Sequence, residues 1–314
     1  MLVNLVPPFM AALAAKDPLE AYHRYLNDHR VVLGAYWHNY VLDLDSPHAA
    51  DVIRRALAAE RRDLLTLLHD VDVAAIAEEA LGRCEIQLDM DRPTDLYLMV
   101  GVGGANAGEL VVAGRGVAFV CLEHFTGRPN PESYGLGLAP GLLPLWIAHE
   151  LAHTVRYTSP ASRGELARVV EDAGGFYDYW DSGSRATLRE LLVNEGLAVA
   201  AARAVAPGFD VWQYLGYGRR QYRRLRELDA FLRRVTDAEL EHRGLGYRLR
   251  YLAGGTSPST RLVSGKVIPE RAGYYLGLQM VEAMVNEQGV AAALRASAVE
   301  CRDAEERASG VQTA

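Results

Sequence analysis

Lysine is almost absent from this 314-residue chain: Lys16 and Lys266 are the only two, and arginine supplies the other basic side chains. The formal net charge is -7, so the basic surplus that a dedicated nucleic-acid binder carries is missing. Cysteine is scarce too. Cys84, Cys121 and Cys301 lie far apart with no C-x-x-C pair, which excludes a zinc ribbon, a thioredoxin-type motif and a disulfide-stapled scaffold. Free thiols of this kind predict a reducing, cytoplasmic setting. No run reaches 18 apolar residues, so no membrane span is expected. The longest uncharged stretch near the middle, residues 133–148, is broken by Pro140 and Pro144. Residues 1–15 are apolar but lack a basic start and contain Pro7-Pro8, so they read as the beginning of a packed helical region. No repeat of 20–50 residues is visible. What is present is ordinary for a globular chain, with 50% hydrophobic and 23% charged residues.

The texture changes twice along the chain. Residues 17–81 are helical in pattern. From about residue 85, segments 95–100, 109–112 and 116–122 read as strands. The glycine-rich stretch 101–108 between the first two reads as a hairpin turn. It is a poor dinucleotide loop, because a strand and not a long helix follows it. After the loop at 126–134 the pattern is helical again: 141–157, 165–170, 184–206, 211–234, 270–288 and 290–299. The Tyr- and Arg-rich stretch 211–234 reads as a solvated helix with arginine stems over aromatics. Helices, a small sheet, then helices predict an α+β fold, mainly helical, with a small mixed or antiparallel sheet beside the 141–157 helix. The expected organisation is an N-terminal helical region (1–84), a main domain (85–301) and a polar tail (302–314). Oligomeric state is not legible.

Within the 141–157 helix the chain reads His149-Glu150-Leu151-Ala152-His153. Residues four apart share a helix face, so both imidazoles reach one ion. Glu150, about 100° around the helix, stands beside such an ion and can take a proton from a water there. The flanks Leu142, Leu143, Leu145, Trp146 and Ile147 are apolar, so the helix is expected to be buried. Two histidines and a glutamate in such a helix are costly unless paired or metal-bound.

Three protein ligands are expected for a catalytic zinc. None of the other histidines follows at the H-E-x-x-H-x-x-G-x-x-H spacing. Glu195, alone among Leu191, Leu192, Val193, Leu197 and Val199, is the candidate third ligand; pairing with Arg189 or Arg203 is the alternative. Gly196 inside that helix implies a close approach. An oxyanion donor is also needed. Tyr274 is the candidate, with Tyr275, Tyr247 and His242 behind it. Strand 116–122 is a candidate edge for pairing with a substrate backbone, with His124 as a possible contact.

An H-E-x-x-H helix followed by a glutamate on a later helix resembles the gluzincin metallopeptidases. The chain is also similar to an uncharacterised family of predicted zinc-dependent proteases at three places: His149-Glu-Leu-Ala-His153, Val193-Asn-Glu-Gly-Leu-Ala198 and Ala272-Gly-Tyr-Tyr-Leu-Gly277. The likeness spans about residues 146–279. It implies a zincin-like domain, Zn²⁺ on His149, His153 and Glu195, Glu150 as general base, and a peptide or protein substrate. Two features depart from the thermolysin-like pattern. The 41 residues between His153 and Glu195 exceed its spacing, so a helical segment at about 165–180 is inserted. Val199 also stands where an aspartate is usual, which leaves no evident partner to orient a metal-bound histidine. The rivals are a zinc amidase on a small non-peptide amide, a structural metal site, and a catalytically inactive binding or regulatory module of the same fold.

Overall fold

The structure is a computed structural model that describes residues 1–308 and Gly310. It is an α+β, mainly helical fold with one principal sheet. The first strand, β1 (Leu2–Asn4), lies where a helical start was expected. Six helices follow: α1 (Val6–Leu13), α2 (Pro18–Asp28), α3 (Arg30–Tyr40), α4 (Ala49–Ala58), α5 (Arg62–Asp70) and α6 (Val73–Gln87). The chain then forms β2 (Thr94–Met99), β3 (Ala107–Val112) and β4 (Arg115–Cys121).

The sheet is mixed, in the order β1-β2-β4-β3. β1, β2 and β4 run parallel, and β3 is antiparallel to β4 at the edge. The glycine-rich stretch 101–108 is therefore not a hairpin turn. It carries the chain from β2 past β4 to the far edge, and the hairpin is the β3–β4 turn at Ala113-Gly114. β2, β3 and β4 are almost wholly buried, as expected where helices cover a sheet, while the edge strand β1 is partly exposed.

A short 3₁₀ turn (Pro140–Leu142) leads into α7 (Leu143–Thr158). Pro144 sits in its first turn, where a missing N–H is harmless. α8 (Glu165–Asp172) and α9 (Tyr179–Arg185) form the helical insertion. α10 (Leu188–Val205) starts four residues after the start of the expected 184–206 helix, with residues 186–187 separating it from α9. The hydroxyl of Thr187 accepts the Glu190 N–H and caps it there. The expected 211–234 helix is three pieces, α11 (Val211–Tyr214), α12 (Arg219–Glu227) and α13 (Asp229–Asp237). α14 (Leu245–Tyr251), α15 (Ala272–Gln288), α16 (Val290–Arg295) and α17 (Ala298–Ala308) complete the chain. α17 occupies much of the expected polar tail and buries Cys301 and Ala304; residues 309 and 311–314 lie outside the described residues.

α7 lies across β3 and β4 on one side and against α10 on the other, and α10 in turn packs on α15. Two features lock this stack. Arg156 of α7 donates from Nη2 to both carboxylate oxygens of Glu190 on α10, at 2.8 and 2.9 Å. Its Nη1 donates to the carbonyls of Leu294 and Ala296. Second, α10 and α15 touch backbone to backbone. A Cβ on Gly196 would lie 2.1 Å from the Gly277 oxygen, and one on Gly277 would lie 1.9 Å from the Leu192 oxygen. The two motif glycines thus have a steric reason, and the crossing they permit brings residues of α15 next to Glu195.

Candidate metal centre and cleft

α7 is buried from Leu145 to Tyr157, as its apolar flanks predict. Its two histidines meet Glu195 from α10. Glu195 Oε2 lies 3.3 Å from His149 Nε2 and 3.6 Å from His153 Nε2. One ligand atom from each of the three residues falls within 4.8 Å of the others. Ligands about 2.0–2.1 Å from a tetrahedral ion stand roughly 3.4 Å apart, so this spacing fits Zn²⁺. Neither alternative partner holds Glu195: Arg189 pairs with Glu241, and Arg203 with Glu282. The residues present fit the ion by chemistry as well as by distance. All three are buried, and two imidazoles with one carboxylate are a zinc donor set that leaves a coordination position open.

The electrostatics show how strongly the three are bound together. Burial pushes the His153 imidazole down, but Glu195 and then Glu109 outweigh it and raise it to about 10. Burial keeps His149 below its ordinary value despite the same carboxylate. Burial also opposes ionisation of Glu195, yet the two histidines hold it well below the usual carboxylate range. A divalent cation needs Glu195 ionised, as it is here, and both imidazoles neutral, so its binding would displace the proton that Glu195 and Glu109 favour on His153.

The imidazoles are oriented by stacking. Among the described residues neither Nδ1 has a hydrogen-bond partner. The His149 ring lies 5.9 Å from the Tyr274 ring at 15°, and the His153 ring lies 6.0 Å from Tyr157 at 18°.

Glu150 sits on the other flank of His153 and shares that position with Glu109 of β3. Burial, reinforced by Glu109, keeps the Glu150 carboxyl well above the usual range. Glu109 itself is held in place. Its Oε1 accepts from the Tyr157 hydroxyl at 3.1 Å, and its Oε2 from Tyr40 at 2.9 Å. Asn194 Nδ2 in turn donates to the Tyr157 oxygen at 3.0 Å. Sequence reasoning passed over Glu109, though a lone glutamate before Leu-Val-Val carries the same signal that marked Glu195.

These groups floor a cleft of about 730 Å³. Its rim includes Asn106 of the glycine-rich loop, Trp180 of α9, and Arg271 and Tyr274 at the start of α15. Residues 177–303 match a family model described as predicted Zn-dependent protease. The matched span contains Glu195 and Tyr274 and begins after the His149–His153 segment. No curated protein and no solved structure matches the chain.

The other expected contacts fall elsewhere. β4 is flanked on both sides by β2 and β3, so it has no free edge. The outer edge of β3 is itself engaged: Tyr40 meets the Glu109 N–H and carbonyl, and the Tyr177 N–H donates to the Val111 carbonyl. His124 is fully buried and cannot touch a substrate. The Tyr275 hydroxyl donates to Asp229, and His242 and Tyr247 bond to each other outside the cleft. Of the candidate donors, Tyr274 is the one that lines the cleft. Among the described residues no helix is long and apolar enough to cross a membrane.

Proposed function

We propose that the protein is a zinc-dependent peptidase that uses Glu150 as its general base. The observation that carries this reading is the convergence of His149, His153 and Glu195 at ligand spacing on the floor of a cleft, with Glu150 beside them. The family match supports the same reading. His149, His153 and Glu195 would hold the zinc, which would supply Lewis-acid chemistry at the scissile carbonyl and lower the pKa of water there. The Glu150 carboxylate takes the proton of the attacking water and passes it to the leaving amine. Its apolar, carboxylate-flanked position favours holding that proton between the two steps. The Tyr274 phenol donates to the oxyanion that develops on the carbonyl. The substrate is a peptide or protein segment lying along the cleft.

Elemental analysis and peptide hydrolysis test the reading together. About one zinc per chain is expected in the wild type. Glu195→Ala and His153→Ala should lose most of it. Glu150→Gln should keep the metal and lose hydrolysis by about 10²-fold or more. A wild type that takes up no zinc, or a Glu150→Gln enzyme of undiminished rate, would overturn it.

A further inference from the structure

Arg271 is the cation of the cleft that the mechanism leaves unused. It caps the start of α15 in a left-handed conformation, φ 55°, unusual for a residue with a Cβ. The backbone there is pinned. The Arg271 carbonyl accepts from the Tyr217 hydroxyl, and the Glu270 carbonyl accepts from Gln221 Nε2 at 2.8 Å. The guanidinium lies 4.2 Å above the centre of the Tyr274 ring and 5.8 Å from that of Trp146. Gly216 makes room for it: a Cβ there would come within 2.9 Å of Arg271 Nη1 and 3.0 Å of the Trp146 ring. A strained backbone, a stacked head group and a glycine-cleared slot all serve to hold one guanidinium beside the candidate metal centre.

Among the described residues that guanidinium has no ion pair, although the charge of Glu195 reaches it and it shares a hydrogen bond with the Tyr274 hydroxyl. Among the described residues no carboxylate lies within 4.0 Å of it. Its neighbour Glu270 turns away to Arg261 and the Gly255 N–H. Glu195 faces the histidines. The other arginine of the cleft, Arg248, is spent on the Tyr179 carbonyl, Ser182 Oγ and the Tyr177 hydroxyl. A half-buried guanidinium fixed by stacking and by the Tyr274 hydroxyl still has donors to present as a fork, which matches a carboxylate.

We propose that Arg271 anchors a carboxylate of the substrate and so makes the cleft selective for anionic peptides. The inference rests on the peptidase reading for its substrate class. Two sources offer this group, a peptide C-terminus and an internal Asp or Glu side chain, and both are tested.

The probes are an N-acylated peptide as free acid and as C-terminal amide, and a matched pair with internal Glu or Gln. Hydrolysis is measured with the zinc-loaded wild type, Arg271→Gln and Arg271→Lys. Binding to zinc-loaded Glu150→Gln is measured by calorimetry. In one of the two pairs the wild type should prefer the carboxylate about tenfold or more, in KM and Kd, with kcat little changed. Arg271→Gln should erase that preference, and Arg271→Lys should restore part of it. Preference in the acid–amide pair identifies an anchored chain end; preference in the Glu–Gln pair identifies an acidic side chain. A wild type with no preference in either pair overturns the proposal even if Arg271→Gln fails to fold. So does an Arg271→Gln effect on kcat equal for every peptide. Carboxylate-selective binding without cleavage would sink the peptidase reading and leave the anchor standing. Cleavage without selectivity would do the reverse.

Discussion

Replacing Gly277 by alanine tests the helix contact on which the candidate site depends. The new Cβ would stand 1.9 Å from the Leu192 carbonyl oxygen, where real contacts are essentially never closer than 3.0 Å. α10 and α15 must therefore part by at least about 1 Å, because the obstacle is backbone and cannot rotate away. Overpacking of this kind costs about 1–3 kcal/mol, and a backbone clash belongs near the top of that range. The better helix propensity of alanine offsets about 1 kcal/mol, leaving a net loss of roughly 2 kcal/mol. For a large domain that lowers Tm by about 4–8 °C. Gly196→Ala should behave alike, its Cβ falling 2.1 Å from the Gly277 oxygen. The double variant should lose less than the sum, since both changes open the same gap. Gly82→Ala is the control: it lies within α6 with nothing inside 4 Å of its Cβ, and should gain about 0.5–1 kcal/mol. Differential scanning calorimetry reads all four. Wild-type melting temperatures in both Gly196→Ala and Gly277→Ala would refute the backbone contact.

Other perturbations reach other parts of the frame. Glu190→Gln leaves Arg156 as a buried, uncompensated charge and should cost about 3–5 kcal/mol in urea unfolding; adding Arg156→Met should recover much of it. Tyr157→Phe removes the donor to Glu109 and the acceptor for Asn194, a loss of about 1–3 kcal/mol, while zinc content should hold. Burial raises the Glu123 carboxyl to about 7, against the opposing charge of Arg61. The folded chain thus keeps a proton that the unfolded chain releases near 4.5, so stability falls as pH rises from about 4.5 to about 7 and levels above. Urea midpoints at about pH 5 and pH 8 should show this fall in the wild type and a smaller one in Glu123→Gln; equal falls would remove Glu123 as its source.

Much of the candidate site was legible because its signals are local. The H-E-x-x-H spacing puts both imidazoles on one face by helix geometry alone. Glu195 and Gly196 stood out as a carboxylate and a gap inside an otherwise apolar helix. The helical bulk and the small sheet followed from periodicity and β-branched runs. Glu109 was missed although it bears the same mark, because nothing in a strand's own pattern says which helix covers it.

The primary sequence by itself determined which side chains are candidate ligands, that the H-E-x-x-H helix is buried, and the change from helices to strands and back between about residues 85 and 141. Each of these depends on neighbours within about two helical turns. Tertiary structure decided the rest. It set strand order, which moved the sheet edge from β4 to β3 and left that edge capped by Tyr40 and Tyr177. It turned Tyr274 toward His149 and Tyr275 toward Asp229 at the start of α15. It also left Arg271 in the cleft without an ion pair among the described residues. Such outcomes turn on contacts between residues far apart in the chain, Tyr40 with Glu109 and His149 with Tyr274 among them, and only the packed fold brings those together.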